Sequence, residues 1–71
     1  MELRDLLNEI FHRTEKGDFV TMDELETEFG LSGSDLRPML EDLKEARVVV
    51  EHHEGFQVTP HGITECRSRW A

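Results

Sequence analysis

The side chains that could do chemistry are few, and their spacing matches no common reaction centre. His52, His53, His61 and Cys66 are of the types that bind zinc, but no Cys-x-x-Cys or His-x-x-x-His spacing brings them together. Adjacent histidines in a strand point to opposite faces, so His52 and His53 would chelate a metal poorly. There is no Gly-x-Ser-x-Gly motif and no glycine-rich phosphate loop. We therefore expect no enzymatic activity, no metal site and no cofactor.

The composition indicates a small acidic domain. The chain has 71 residues, with 16 Asp and Glu against 8 Lys and Arg, for a formal net charge of -8. This length predicts a single domain over residues 1–71. The charge repels DNA and anionic membranes at ordinary salt. No apolar run approaches the roughly 18 residues of a membrane span, and the single cysteine favours a reducing, cytoplasmic setting.

The types of basic residue are consistent with a halophilic source. Only Lys16 and Lys44 are lysines, and the other basic residues are arginines. In molar salt the Debye length falls to about 3 Å, so the repulsion between an acidic surface and DNA would be largely screened. In ordinary salt the same charge favours a basic partner.

Hydrophobic spacing and turn residues predict the order of the elements. That order is a helix over residues 2–15, a short extended piece at 19–20, a helix over 21–30, a turn over 31–34, a helix from about 36 to 47, strands at 48–50 and 56–58 around a turn, and a final helix capped by Thr59 and begun by Pro60. The elements of a helix-turn-helix and a hairpin therefore follow one another directly.

Local signals predict where the second and third helices begin. Thr21 and Glu24 have the Thr-x-x-Glu spacing of a capping box, in which each side chain accepts the backbone N–H of the other residue. Pro38 lacks a backbone N–H and fits best in a first helical turn. We therefore predict that Asp35 caps the third helix and that Leu36 begins it.

These elements predict an α+β, mainly α fold of the winged helix-turn-helix type. Three helices would share a core, with a short strand, a two-stranded wing and a C-terminal helix completing the domain. In this fold the third helix enters the major groove of DNA.

Several short segments within residues 9–70 carry a resemblance to a known family. They are Glu9-Ile10-Phe11, Met22-Asp23-Glu24-Leu25, Gly30-Leu31-Ser32, the leucines Leu36, Leu40 and Leu43, and Val58-Thr59-Pro60-His61-Gly62. In these segments the chain resembles the N-terminal domain of diphtheria-toxin-repressor-type metalloregulators. The resemblance implies a DNA-binding role in transcription regulation.

The chain also departs from that family. Ala46-Arg47 stands where the family usually has glycine after the third helix. Asp5 falls at one metal-ligand position, whereas Asn8 replaces a carboxylate found in the manganese-responsive members. The family's other ligands and its dimerisation segment lie in helices beyond the winged domain, so we expect no complete metal site here.

The fold and the resemblance together imply a set of contacts to double-stranded DNA. They are Ser34, Arg37 and Lys44 on the third helix, Arg47 beside them, and His52 and His53 on the wing. Residues 34–47 hold more carboxylates than basic side chains. A solvated helix face laced with i,i+3 and i,i+4 ion pairs is therefore an equal alternative.

The second helix favours a different partner. Asp23, Glu26 and Glu28 are acidic in addition to the capping Glu24, and the helix has no basic residue. This face predicts an alternative role as a protein-interaction module for a basic partner, or as an acidic mimic that occupies a nucleic-acid groove on another protein. Trp70 either packs inside a monomer or joins Leu3 and Leu7 in the interface of a homodimer.

Overall fold

The computed structural model describes residues 2–70, and the side chains of residues 69 and 70 lie outside the described set. Within this range the chain forms four helices and one two-stranded antiparallel sheet. Their order is α1 (Leu3–Thr14), α2 (Met22–Phe29), α3 (Gly33–Glu45), β1 (Val49–His52), β2 (Gly55–Val58) and α4 (Pro60–Trp70). The fold is therefore α+β and mainly α, as the sequence predicts.

Helices α1 and α2 match their predicted positions closely. Helix α1 buries Leu6, Leu7 and Ile10 along one stripe, and the stripe ends in the buried Thr14. At the start of α2, Thr21 Oγ1 accepts the Glu24 N–H at 3.2 Å, and the Thr21 N–H donates to Glu24 Oε1 at 2.9 Å. The predicted capping box is thereby confirmed.

The start predicted for α3 was wrong. The helix begins at Gly33 rather than near residue 36, and its cap is Ser32, whose hydroxyl accepts the Asp35 N–H at 3.3 Å. The side chain of Glu26 on α2 accepts the Gly33 N–H. These two acceptors satisfy N–H groups of the first turn. Pro38 lies inside the helix and has no N–H to donate to the preceding turn.

Helix α3 also ends slightly earlier than predicted, and the chain turns sharply there. The last helical residue is Glu45, followed by Ala46 as the C-cap. Arg47 then adopts φ 66°, the left-handed conformation that favours glycine. An arginine thus occupies a conformation that glycine would adopt without strain.

The predicted hairpin forms, and its second strand also pairs with the segment between α1 and α2. Val49 pairs with Val58 and His52 pairs with Gly55, so the loop is made of residues 53 and 54. Val20 forms an isolated bridge to Phe56 through hydrogen bonds of 2.8 and 3.0 Å. A Cβ on Gly55 would lie 2.7 Å from the Val20 carbonyl oxygen, so the backbones approach too closely for any other residue.

One cluster of buried side chains joins all of these elements. Its members are Leu6, Leu7, Ile10, Val20, Leu25, Leu36, Leu40, Leu43, Val48, Val49, Phe56, Val58 and Cys66. Helix α4 closes this core: Thr59 Oγ1 accepts the Gly62 N–H at 3.0 Å, as expected of a cap, and Cys66 is buried one turn further on. Trp70, predicted to pack in the core or at an interface, has its side chain outside the described residues.

Candidate functional site

The side chains predicted to contact DNA lie on α3 and on the hairpin beside it. Ser34 and Arg37 are exposed on α3, Lys44 is half-buried near its end, Arg47 is exposed just beyond it, and His52 and His53 are exposed at the tip of the hairpin. The structure brings two of them, Arg37 and Lys44, to a common partner. Ser34, Arg47 and the histidines do not join that contact.

The common partner is Glu51 on β1. Glu51 Oε1 accepts a hydrogen bond from Lys44 Nζ at 2.8 Å and another from Arg37 Nη1 at 3.0 Å. On the helix itself, Glu41 Oε2 accepts from the same two nitrogens at 3.1 and 3.3 Å. The four side chains, which we call the charge quartet (Arg37, Glu41, Lys44 and Glu51), thus form a closed ring of alternating charge.

Each member of the charge quartet stabilises the ionised form of its neighbours. The hydrogen bond to Lys44, and then that to Arg37, lowers the pKa of the Glu51 carboxyl, and the same two partners lower the pKa of Glu41. The bonds to Glu51 and Glu41 raise the pKa of Lys44. The quartet is therefore fully ionised at neutral pH and carries no net charge.

Packing beneath the quartet fixes its position. The Arg37 guanidinium carbon lies 5.6 Å from the centroid of the Phe56 ring, within range of a cation–π contact. Phe56 pairs with Glu51 across the hairpin and is itself only 2% exposed. The aromatic ring therefore positions α3 against the hairpin, while the ion pairs lie on the solvent side.

The hairpin tip adds a second aromatic contact. The ring of His52 meets that of Phe19 edge to face at a centroid distance of 5.3 Å. Phe19 is 37% exposed and lies in the segment between α1 and α2. His52, one of the two hairpin residues predicted to contact DNA, thus packs against the segment between α1 and α2, whereas His53 lies in the hairpin loop.

The acidic face of α2 is less free than its sequence suggests. Arg13 on α1 binds Glu28 at 2.7 Å and Glu9 at 2.6 Å, and it lies 3.7 Å from Glu24. These bonds, that to Glu9 first, raise the pKa of the Arg13 guanidinium. Among the residues predicted as a partner surface, Glu28 is therefore ion-paired with Arg13. The Glu26 side chain accepts the Gly33 N–H at the start of α3. Asp23 remains exposed to solvent.

An apolar groove of about 400 Å³ lies on another side of the molecule. It is lined by Leu3, Arg4, Leu7, Leu43, Ala46, Val48, His61 and Glu65. Leu3 is 39% exposed at its rim, whereas Leu7 is buried in its floor. Two of the residues predicted for a homodimer interface therefore share one groove.

The remaining reactive side chains lie apart from one another. Within the described residues, no three His, Cys, Asp or Glu side chains are grouped so that they could hold a metal ion. Burial raises the pKa of the Cys66 thiol, which makes the reactive thiolate scarcer. None of the helices described is both long enough and apolar enough to pass through a bilayer.

The sequence did not identify Glu51 as part of a site. Its partners lie 7 and 14 positions away, on a different element, so neither helical spacing nor strand alternation connects them. The available signal was a carboxylate in the strand that directly follows a helix with Arg37 and Lys44 on one face. Glu51 contacts Arg37 and Lys44 only because the hairpin packs against α3.

Comparison with known proteins adds no relative. No protein-family model, no curated protein and no solved structure matches the chain.

Proposed function

We propose that the chain is a winged helix-turn-helix domain that binds double-stranded DNA, with α3 as the helix that enters the major groove. The observation that carries the proposal is the placement of Arg37 and Lys44 on the exposed side of α3, next to the hairpin that would serve as the wing. Arginine can bond a guanine edge with two nitrogens, and lysine suits a phosphate.

The arrangement of the backbone supports the same proposal. Helices α2 and α3 are separated only by a short turn, and the hairpin follows α3 directly. Val20 adds a third strand position against Phe56, so the segment between α1 and α2 is tied to the hairpin. This order is the one expected of a winged helix, in which the turn sets the recognition helix and the hairpin reaches the flanking backbone.

The charges set the conditions under which such binding is favourable. The charge quartet is neutral, and the chain carries a net charge of -8, so long-range attraction to DNA is missing. In molar salt the Debye length of about 3 Å removes most of the repulsion, and contacts at close range decide the affinity. The proposed function is therefore that of a regulator working at high salt, where direct contacts to bases outweigh attraction to phosphates.

The experiment is a gel shift of the folded protein on a mixed pool of duplexes, from about 0.1 M to about 3 M salt. We expect a complex that forms with some sequences in the pool and persists at the high end of the series. Circular dichroism at each salt concentration verifies that the protein is folded. A folded protein that leaves every duplex unshifted at every salt concentration contradicts the proposal.

A second function is favoured by a specific observation, the neutralisation of Arg37 and Lys44 by Glu51 and Glu41. A surface whose basic groups are already paired, beside an acidic α2, suits a basic protein partner better than it suits DNA in ordinary salt. In this alternative the exposed carboxylates of Asp23 and Glu28 contact that partner, and the chain either recruits it or blocks its nucleic-acid groove.

The alternative is tested with a polyarginine peptide as the basic probe. Reversing Asp23 and Glu28 to Lys should abolish binding of the peptide at low salt, whereas reversing Asp18 and Glu54, exposed acidic residues outside α2, should weaken binding less. Glu26 is left unchanged because it caps α3. Equal losses for the two pairs of reversals would mean that the peptide responds to net charge rather than to the α2 face.

A further inference from the structure

We propose that Glu51 is an internal substitute for a DNA phosphate, which holds Arg37 and Lys44 on the protein and thereby suppresses binding to DNA of arbitrary sequence. This inference rests on the proposed DNA-binding function and assigns a specificity role to a strand residue. It concerns the competition for two basic side chains that a bound duplex would also need.

The geometry around Glu51 is that of an anion site. A single carboxylate oxygen, Oε1, accepts from an ammonium nitrogen at 2.8 Å and from a guanidinium nitrogen at 3.0 Å. The Lys44 bond has the length of a charge-assisted hydrogen bond, and the Arg37 bond lies within the ordinary N–H···O range. A phosphate oxygen is likewise an anionic acceptor. A phosphate approaching this face therefore finds Nη1 of Arg37 and Nζ of Lys44 already engaged with a carboxylate.

Glu51 and Glu41 lie on different elements of the fold. Glu41 lies on α3 itself, at the i+4 and i-3 positions of ordinary helix ion pairs. Glu51 comes from β1, and its side chain is only 34% exposed, less than the 52% of Glu41. The hairpin thus delivers a second carboxylate onto the one face of α3 that holds basic side chains.

This competition affects the two kinds of DNA binding unequally. Binding to arbitrary sequence depends almost entirely on phosphate neutralisation, which releases counterions from the DNA. When Arg37 or Lys44 exchanges Glu51 for a phosphate, one ion pair replaces another, and the freed carboxylate attracts cations again. The gain is then small unless contacts to bases add to it, so Glu51 raises the sequence selectivity of the whole domain at the expense of its affinity.

The test is a titration of wild-type protein, Glu51→Gln and Glu54→Gln on a random-sequence duplex, by fluorescence anisotropy across the same salt series. Glu54→Gln is the matched control: it makes the same charge change in the hairpin loop, at an exposed residue outside the charge quartet. We expect Glu51→Gln to bind roughly tenfold more tightly than this control, the effect of about one additional charge-assisted contact. The slope of log affinity against log salt should steepen by about one.

A further variant separates the specific effect from a general loosening of the hairpin. Lys44→Gln introduced into both Glu51→Gln and Glu54→Gln should reduce the difference between them, because one of the two cations that Glu51 restrains is then missing. Circular dichroism and thermal unfolding of each variant verify that the proteins compared are folded.

The outcomes distinguish this inference from the function on which it rests. If wild-type protein binds DNA but Glu51→Gln and Glu54→Gln bind equally, the phosphate-substitute role is overturned and the DNA-binding proposal stands. A gain that the loss of Lys44 leaves undiminished likewise overturns the role. If all of the variants fail to bind any duplex at any salt, the DNA-binding proposal falls, and this inference falls with it.

Discussion

The hydroxyl of Thr14, at the end of α1, accepts the backbone N–H of Val58, on β2, at a distance of 2.8 Å, although the residues are 44 positions apart. The same hydroxyl donates to the Ile10 carbonyl at 2.7 Å, and the Thr14 side chain is buried. One side chain therefore bonds a carbonyl of α1 and also satisfies a buried strand N–H. It ties the hairpin to the helical core.

Replacing Thr14 with valine should destabilise the protein although the volume hardly changes. The substitution leaves the buried Val58 N–H without an acceptor, at a cost of about 1–3 kcal/mol. For a domain of this size that corresponds to a fall in Tm of several degrees, about 4–8 °C per kcal/mol. Thr14→Ser retains the hydroxyl and loses only a methyl group, so it is the control. A serine variant less stable than the valine variant would mean that packing, and not this hydrogen bond, gives Thr14 its importance.

Arg47 should be replaceable by glycine with a gain in stability. Its φ of 66° is left-handed, which costs a residue with a side chain about 1–2 kcal/mol. Glycine removes this strain but increases the conformational entropy of the unfolded chain, at a cost of roughly 0.4–1 kcal/mol, so the expected net gain reaches about 1.6 kcal/mol at most. Urea unfolding of Arg47→Gly measures it. Arg47→Ala removes the same side chain but keeps the strain, so a similar gain in both variants would contradict the backbone explanation.

The sequence predicted those elements whose signals are local. The apolar stripe of α1, the Thr21–Glu24 capping box and the turn before Phe56 depend on neighbours within a few positions, and all three appear in the structure. The start of α3 was misplaced because the prediction confined Pro38 to the first turn, whereas Ser32 caps the helix and Glu26, a residue on another helix, accepts the Gly33 N–H. A contact of that kind depends on how two helices pack, which hydrophobic spacing does not specify.

The candidate site shows the same division. That Arg37 and Lys44 share one side of α3 follows from helical spacing, and on that side the structure leaves Arg37 exposed and Lys44 half-buried. Their neutralisation does not follow, because it requires β1 to fold back beside α3 and present Glu51. The sequence counted more negative than positive charges over this region but could not indicate which of them would pair.

The charge quartet should make the stability of the fold depend on acidic pH. The pKa of Glu51 is lowered in the folded state, chiefly by Lys44 and then by Arg37, from its ordinary value of 4.5. A lowered folded-state pKa means that folding favours the charged form. The contribution of Glu51 is therefore complete above the unfolded value and is lost as the pH falls through the folded value.

The measurement is urea unfolding of wild-type protein and Glu51→Gln from about pH 7 to about pH 3. The wild type should be the more stable protein at neutral pH, and the difference should close as the pH falls below 4.5. Salt near 1 M should shrink the neutral-pH difference, because the ion pairs are partly exposed to solvent. A difference that stays constant down to the lowest pH would show that glutamine disturbs the strand for reasons other than charge.

Glu26 should matter for folding more than its neighbour Glu28. Glu26 is half-buried and accepts the Gly33 N–H at the start of α3, so Glu26→Ala should cost about 1 kcal/mol, as for the loss of a helix cap. Glu28→Ala removes an equal charge and an exposed ion pair to Arg13, which contributes little. Thermal unfolding compares the two variants. Equal melting temperatures would mean that the hydrogen bond from the Gly33 N–H to Glu26 does not explain why α3 begins at Gly33.

Arg37 is the side chain on which the proposed DNA contact depends most directly. Its removal in Arg37→Ala should weaken binding to a selected duplex by about 1–3 kcal/mol, as for the loss of one guanine contact. Because Arg37 also lies over Phe56, the variant's unfolding temperature must be measured alongside its affinity. Arg4→Ala, an exposed arginine on α1, is the matched change of charge.

A lysine at the same position separates two ways in which Arg37 could act. Arg37→Lys keeps the positive charge but loses the planar fork that bonds guanine with two nitrogens. If Arg37 contacts a base, the lysine variant should bind almost as weakly as the alanine variant and should discriminate less among sequences. If Arg37 contacts only a phosphate, lysine should restore most of the affinity. An affinity equal to wild type in both variants would place Arg37 outside the interface and leave its bonds to Glu51 and Glu41 as its whole role.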